Sequence, residues 1–159
     1  MKKNNIIELS KYIVKKYIIT SPIKLQKILF LIRYEEEKNN IENDIYAKNF
    51  NFEAWINGPV NPESYFYFRP YFYNDDELET FLPKKEDEER FKIYDKYIEK
   101  YNSLDPWELV NITHANISWI EARKGLDDDQ VSNNKIDEKF IKEWKKEKLE
   151  KEDEKLIMN

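Results

Sequence analysis

The sequence predicts a mainly α-helical protein, with a compact single domain of about six helices and at most a short β-hairpin near residues 45–60. Apolar residues recur at helical spacing in several segments, and three prolines each follow a side chain that can cap a helix. The length of 159 residues fits one domain. Residues 1–144 form this predicted domain, and the Lys- and Glu-rich residues 145–159 are predicted to be a solvated helix or a frayed tail.

The first two helices are predicted at about residues 4–18 and 22–37. In the first, Ile6 and Leu9 belong to an apolar face that alternates with lysines. The second begins at Pro22, which follows a serine cap, and continues with an apolar stripe. Both helices are therefore expected to bury one face.

The middle of the chain carries signals for a hairpin and a short helix. Gly58 and Pro59 stop regular structure, so residues 45–59 are predicted to form a short extended piece and a turn. Pro62, preceded by an asparagine cap, begins a helix that Pro70 is predicted to end.

The last part of the domain is predicted to be helical. Helices are expected at about residues 86–101 and 106–114, followed by a helical turn at Trp119 and a last helix that opens at Ile136. The chain has four tryptophans, Trp55, Trp107, Trp119 and Trp144, and most of them are predicted to lie in the core.

Composition excludes several classes of function. The absence of cysteine rules out disulfides, thiol nucleophiles and cysteine-based metal sites. The longest apolar run, residues 28–32, is too short for a membrane span, so a cytoplasmic protein with no membrane partner is expected. No phosphate-binding glycine loop is present, and Val131 occupies a ligand position of the apparent calcium loop that starts at Asp127. No metal and no cofactor are predicted.

The N-terminal end is basic, although the whole chain has a net charge of −5. This end keeps open the alternative of a nucleic-acid-binding regulator that uses the first two helices as a helix-turn-helix pair. Its phosphate contacts would be Lys11, Lys15, Lys16, Lys24 and Lys27. Lysine on the polar face of an amphipathic helix is the ordinary explanation, so nucleic acid is the less favoured partner.

Three stretches, in this order and spacing, resemble the Panacea-domain family, which includes SocA-like antitoxins and phage-associated proteins. The residues that carry the resemblance are Pro22, Leu25 and Gln26 in residues 21–30; Trp55, Gly58, Pro59, Val60 and Pro62 in residues 52–62, followed by Tyr65; and Thr113 and His114 in residues 108–114, followed by Trp119. The similar region spans about residues 6–144. Ser118 departs from the proline that the family usually has before the tryptophan.

The resemblance implies a binding role, and because the sequence also offers no credible catalytic set, no enzymatic activity is expected. Members of this family act as antitoxins against varied toxins, and SocA is an adaptor that delivers its bound toxin to a bacterial protease. The expected partner is therefore a co-encoded toxin protein, with a bacterial protease complex as a further partner. A phage-associated enzyme is the third alternative.

The motif residues are expected to be mainly structural. Gly58 is expected where the backbone needs a positive φ or a close approach. His114 is the only histidine, and a structural hydrogen bond from its ring is favoured over catalysis with Ser118 or Glu121.

The aromatic stretch at residues 65–73 is a candidate surface for the partner. Consecutive aromatic residues point in all directions, so one buried face cannot take them all. Tyrosine and arginine are enriched in binding hot spots, which favours a partner-binding patch over a loop packed on its own domain. The predicted patch consists of Tyr65, Tyr67, Arg69, Tyr71 and Tyr73.

Overall fold

Helices account for most of the residues that the computed structural model describes, which are 5–41 and 51–143. The α-helices are α1 (Asn5–Tyr17), α2 (Pro22–Lys38), α3 (Pro62–Tyr73), α4 (Lys85–Phe91), α5 (Asp95–Asn102), α6 (Pro106–His114), α7 (Ile117–Ala122) and α8 (Lys139–Glu143). An antiparallel hairpin of β1 (Glu53–Trp55) and β2 (Gly58–Val60) precedes α3, with Trp55 opposite Gly58. The predicted mainly helical fold with a short hairpin is confirmed.

Helices α2, α3 and α6 each begin at a proline that follows a capping side chain, as the sequence predicts. The oxygen of each cap accepts a hydrogen bond from a backbone N–H of the first turn, which would otherwise have no partner. The pairs are Ser21 with Lys24 (3.1 Å), Asn61 with Ser64 (2.9 Å), and Asp105 with Trp107 and Glu108 (2.8 and 3.1 Å). These local signals place the helix starts correctly.

Helix α2 is the centre of the core. Three consecutive side chains, Phe30, Leu31 and Ile32, are fully buried, so the helix has apolar neighbours on several sides. Helices α1, α3, α5 and α6 and strand β2 all pack against it. Helix α2 is therefore the element against which the hairpin is positioned.

The prediction that Pro70 ends its helix is wrong, because α3 continues to Tyr73. Proline removes the hydrogen bond that its own N–H would donate, but its carbonyl still accepts one from the N–H of Asn74 (3.0 Å) and completes the last turn. Aromatic packing also favours the helix, since Phe68 is fully buried with its ring centroid 5.2 Å from that of Phe81.

The single helix predicted at residues 86–101 is interrupted. A 3₁₀ turn at Lys92–Tyr94 separates α4 from α5, and another 3₁₀ helix, Leu78–Phe81, precedes α4. In a 3₁₀ turn, side chains three residues apart lie almost directly above one another. This geometry lets Phe91 and Tyr94 both be fully buried.

Residues 134–136 run along the free edge of β1. The N–H of Ala54 donates to the carbonyl of Asn134, and the N–H of Ile136 donates to that of Phe52, each at 2.8 Å. Because Ile136 takes part in this pairing, α8 begins at Lys139 and not at the predicted residue 136. Trp144 and residues 145–159 lie outside the described residues, as do residues 1–4 and 42–50.

Two further findings concern the core and membranes. Trp119 is buried and Trp55 is half-buried, but Trp107 is 60% exposed and is therefore not one of the tryptophans in the core. No helix in the described ranges is long and apolar enough to cross a membrane.

Candidate functional site

The backbone of the hairpin is held by side chains from distant helices. A hairpin with so few paired residues is at most marginally stable alone, and its buried carbonyl groups need hydrogen-bond donors. Four side chains supply them: Arg123 to Ala54 (3.0 Å), Trp119 to Trp55 (2.9 Å), His114 to Ile56 (2.9 Å) and Lys27 to Pro59 (2.9 Å). The position of the hairpin is therefore fixed by α2, α6, α7 and the residue that follows α7.

His114 has a structural role in this arrangement. Its Nε2 must carry the proton, because the Ile56 carbonyl can only accept, and its ring stacks on Trp119 with centroids 4.1 Å apart. Burial lowers the pKa of His114, and the nearby charges of Lys27 and Arg123 lower it further, although the hydrogen bond to Ile56 opposes the change. The ring therefore stays neutral and donates one hydrogen bond at neutral pH.

Gly58 lies where no other residue fits. Its φ is +112°, and a Cβ atom there would lie 2.6 Å from Cε of Lys27 and 2.7 Å from Oγ1 of Thr113. Thr113 is fully buried, and its hydroxyl bonds to the Leu109 carbonyl at 3.0 Å. One residue from each of the three motif stretches thus meets at this point.

Gln26 connects α2 to the beginning of α3. Its side-chain oxygen accepts a hydrogen bond from the N–H of Asn61 (2.9 Å), and its Nε2 donates to Ser64 (3.2 Å). The Ser64 hydroxyl in turn lies 2.8 Å from that of Ser10 on α1. Both ends of the Gln26 amide therefore have hydrogen-bond partners within the chain.

Ser118, where the family usually has proline, helps to begin α7. Its N–H donates to the side-chain oxygen of Asn116 (2.8 Å), and its hydroxyl donates to the same atom. The hydroxyl also lies 3.3 Å from that of Tyr34. The described hydrogen bonds of Ser118 are thus made to Asn116 and Tyr34, and none of them is made to His114.

Nothing matches this chain in comparisons with protein-family models, with curated proteins and with solved structures. The Panacea-domain resemblance stays a prediction that rests on the motif residues. Beyond that resemblance, only the geometry of the molecule itself bears on its function.

An open cleft of about 650 Å³ lies beside the hairpin, in the size range of ligand sites. Its walls come from the start of α2, the hairpin turn, α3 and the segment before Asn134. Lining residues include Ile23, Lys27, Trp55, Tyr65, Tyr73 and Val131. The rings of Trp55 and Tyr65 meet edge to face with centroids 4.9 Å apart, and Val131 is 84% exposed. Large apolar side chains thus surround an open space.

The five residues predicted to bind a partner lie on two surfaces. Tyr65 and Tyr73 line the cleft, and a side-chain hydrogen bond that the Tyr73 hydroxyl makes to Tyr65 raises the pKa of Tyr73. Tyr67 and Tyr71 instead pack on the ring of Phe81, at centroid distances of 5.6 and 6.0 Å. Arg69 is exposed. Two of the five predicted partner-binding residues therefore line the cleft.

Lys27 does not lie on the basic surface that the nucleic-acid alternative requires. It is 1% exposed and lines the cleft. Burial lowers the pKa of Lys27 to about 7, and no carboxylate in residues 5–41 and 51–143 forms an ion pair with it. Its spacing from Ile23 and Leu31, four residues on either side, could have indicated that Lys27 shares their face.

The other lysines of the predicted nucleic-acid surface have partners within the chain. Lys11 pairs with Glu8 (3.3 Å), Lys15 with Glu88, and Lys16 with Asp95 (2.5 Å), and Lys24 donates to the Asn102 carbonyl (2.8 Å). Burial opposes ionisation of Asp95, but hydrogen bonds from Lys16, Tyr12 and Tyr17 outweigh it and lower its pKa. Much of the basic charge of α1 and α2 is therefore balanced locally.

The described residues also contain no group of three or more potential ligands that could hold a metal ion.

Proposed function

We propose that this protein is a non-enzymatic antitoxin that binds a co-encoded toxin protein through the cleft beside the hairpin. The cleft itself is the observation on which the proposal rests. It is open, aromatic side chains line it, and its walls are fixed by hydrogen bonds from α2, α6 and α7. The family resemblance supports the choice of a toxin as the partner.

The chemistry of the lining favours a protein partner. Tyrosine and tryptophan offer large contact areas at a small entropy cost, which is why they are common in binding hot spots. Trp55 and Tyr65 hold one another in place, and Tyr73 is 56% exposed at the rim. A preformed wall of this kind loses little conformational freedom when a partner binds.

The charge distribution argues against nucleic acid as the partner. Binding to phosphates needs lysines that are free to replace counterions. In this molecule Lys15 and Lys16 are already paired with Glu88 and Asp95, and Lys27 is buried. A protein partner therefore accounts for the structure better than DNA does.

Co-expression tests the proposal. A small neighbouring reading frame that is toxic when expressed alone should become harmless when this protein is present, and the two proteins should purify as a complex. Tyr65→Ala and Tyr73→Ala should each weaken that complex at least about tenfold, since truncating a hot-spot residue removes about 2 kcal/mol of binding. Trp107→Ala is the matched control, because it removes an exposed aromatic ring outside the cleft.

Three results would contradict the proposal: no toxic neighbour, protection that survives both cleft substitutions, or an equal loss in the Trp107 control. All variants should melt within a few degrees of the parent, so that weaker binding is not confused with unfolding. The lifetime of the toxin then separates two modes of action. Delivery to a protease shortens the lifetime on co-expression, whereas simple sequestration lengthens it.

A further inference from the structure

We propose that Lys27, at the buried side of the cleft, binds an aspartate or glutamate side chain of the partner protein. This inference rests on the proposed function and adds to it the chemistry of the partner: an acidic residue flanked by apolar or aromatic residues. The flanking residues would contact Ile23, Trp55 and Tyr65, and the carboxylate would reach the ammonium group.

Lys27 donates a hydrogen bond to one acceptor among the described residues. A lysine ammonium carries three N–H donors, and the described part of the chain provides one acceptor, the Pro59 carbonyl at 2.9 Å. A carboxylate can accept from the remaining donors and supply the missing opposite charge.

Burial makes this pairing selective for an anion. An unpaired cation in a poorly solvated site is unfavourable, and a carboxylate that approaches it there is attracted more strongly than at an exposed surface. Burial lowers the pKa of Lys27 to about 7, whereas an adjacent carboxylate raises it again. Binding near pH 8 should therefore take up about one proton.

The neighbouring groups do not offer a competing partner for the carboxylate. The amide of Gln26 is fully engaged with Asn61 and Ser64. His114 is near enough for its pKa to respond to the charge of Lys27, but its Nε2–H is bonded to Ile56. Among the described residues that line the cleft, Lys27 is the one cationic side chain, and one of its N–H donors is used by Pro59.

Selection from a library of random displayed peptides tests this inference without the toxin. We expect peptides enriched by the wild-type protein to share an aspartate or glutamate next to aromatic or aliphatic residues. The best of these should then be synthesised and its affinity measured by calorimetry. Lys27→Met should weaken binding at least about tenfold, and a glutamine or asparagine replacing the acidic residue of the peptide should do the same.

Lys24→Met is the matched control. It makes the same change one turn earlier on α2, in a side chain outside the cleft that donates to Asn102. We expect this variant to bind the peptide within about twofold of the wild type. Calorimetry near pH 8 in two buffers of different ionisation enthalpy should show proton uptake by the wild type and Lys24→Met, and none by Lys27→Met.

Several outcomes would overturn the inference: no enriched peptide, enriched peptides without an acidic residue, or equal affinity for Lys27→Met. Self-association of the wild type that Lys27→Met abolishes would assign the cleft to a second copy of this chain and would also overturn it. In one combination of results, the peptides lack the expected acidic residue while the toxin is still neutralised through Tyr65 and Tyr73. That combination would support the proposed function and refute the binding of an acidic side chain by Lys27.

Discussion

Replacing Lys27 with methionine should make the stability of this protein less dependent on pH. Methionine has a similar length and no charge, so it can fill the same space below Gly58. The Pro59 carbonyl loses its donor, which costs about 1–3 kcal/mol at every pH. The charge effect, in contrast, changes with pH and can be separated from this constant cost.

The size of the charge effect follows from the pKa of Lys27, which burial lowers from 10.5 to about 7. Between these values the unfolded chain holds a proton that the folded chain has released, so the free energy of unfolding rises with pH. Each factor of ten in proton affinity is worth about 1.4 kcal/mol, so the whole difference corresponds to about 5 kcal/mol. As the pH rises from 6 to 9, the free energy of unfolding of the wild type should increase by about 2–3 kcal/mol of this total.

Urea unfolding at several pH values from about 6 to 9 measures this effect. The free energy of unfolding of Lys27→Met minus that of the wild type should be most positive at pH 6 and should fall by about 2–3 kcal/mol by pH 9. Lys24→Met, a substitution in a less buried side chain of the same helix, should show a difference that is nearly constant over this range. A constant difference for Lys27→Met as well would refute the reasoning, because it would mean that the folded protein keeps Lys27 charged at little cost.

Three further predictions concern stability. Gly58→Ala should cost at least about 2 kcal/mol in urea unfolding, because the new Cβ meets Lys27 at a strained φ; an unchanged midpoint would show that the hairpin can move. Ile18→Gly should add about 0.5–1 kcal/mol, since Ile18 is 69% exposed with a φ of +50°, and a lower midpoint would contradict this. Burial raises the pKa of Glu36 to about 7, so the folded chain holds a proton that the unfolded chain has lost, and stability falls as pH rises from 4.5 to about 7. Glu36→Gln should therefore raise the melting temperature more at pH 8 than at pH 5, and an equal rise at both would exclude a buried neutral carboxyl.

The parts of the fold that local signals specify could be predicted from the sequence. A cap followed by proline acts within one turn, so the starts of α2, α3 and α6 are predicted correctly. The end of α3 is predicted wrongly, because Phe81 lies further along the chain and its packing on Phe68 outweighs the local effect of Pro70. Local sequence patterns therefore predict the starts of these helices better than their ends, because the ends depend on tertiary contacts.

The candidate site could be predicted only in part. The special position of Gly58 is visible because glycine is rare in this chain. A structural role for His114 is favoured because sequence spacing alone does not establish a catalytic geometry with Ser118 or Glu121. The spacing of Lys27 from Ile23 and Leu31 indicates only the helix face on which it lies. Its full burial depends on the position of the hairpin over α2, and no local pattern specifies that position. For the same reason the sequence grouped Tyr65 with Tyr67, although the structure places them on different surfaces.

The donors that hold the hairpin have a consequence for synthesis on the ribosome. The carbonyls of Ala54, Trp55 and Ile56 are bonded by Arg123, Trp119 and His114, which are made about 60 residues later. A nascent chain that ends before them has the hairpin sequence but not the groups that fix it, and a short hairpin alone is marginal. The cleft should therefore take shape only after residues 114–123 have left the exit tunnel, so a nascent chain that lacks them should not capture a partner.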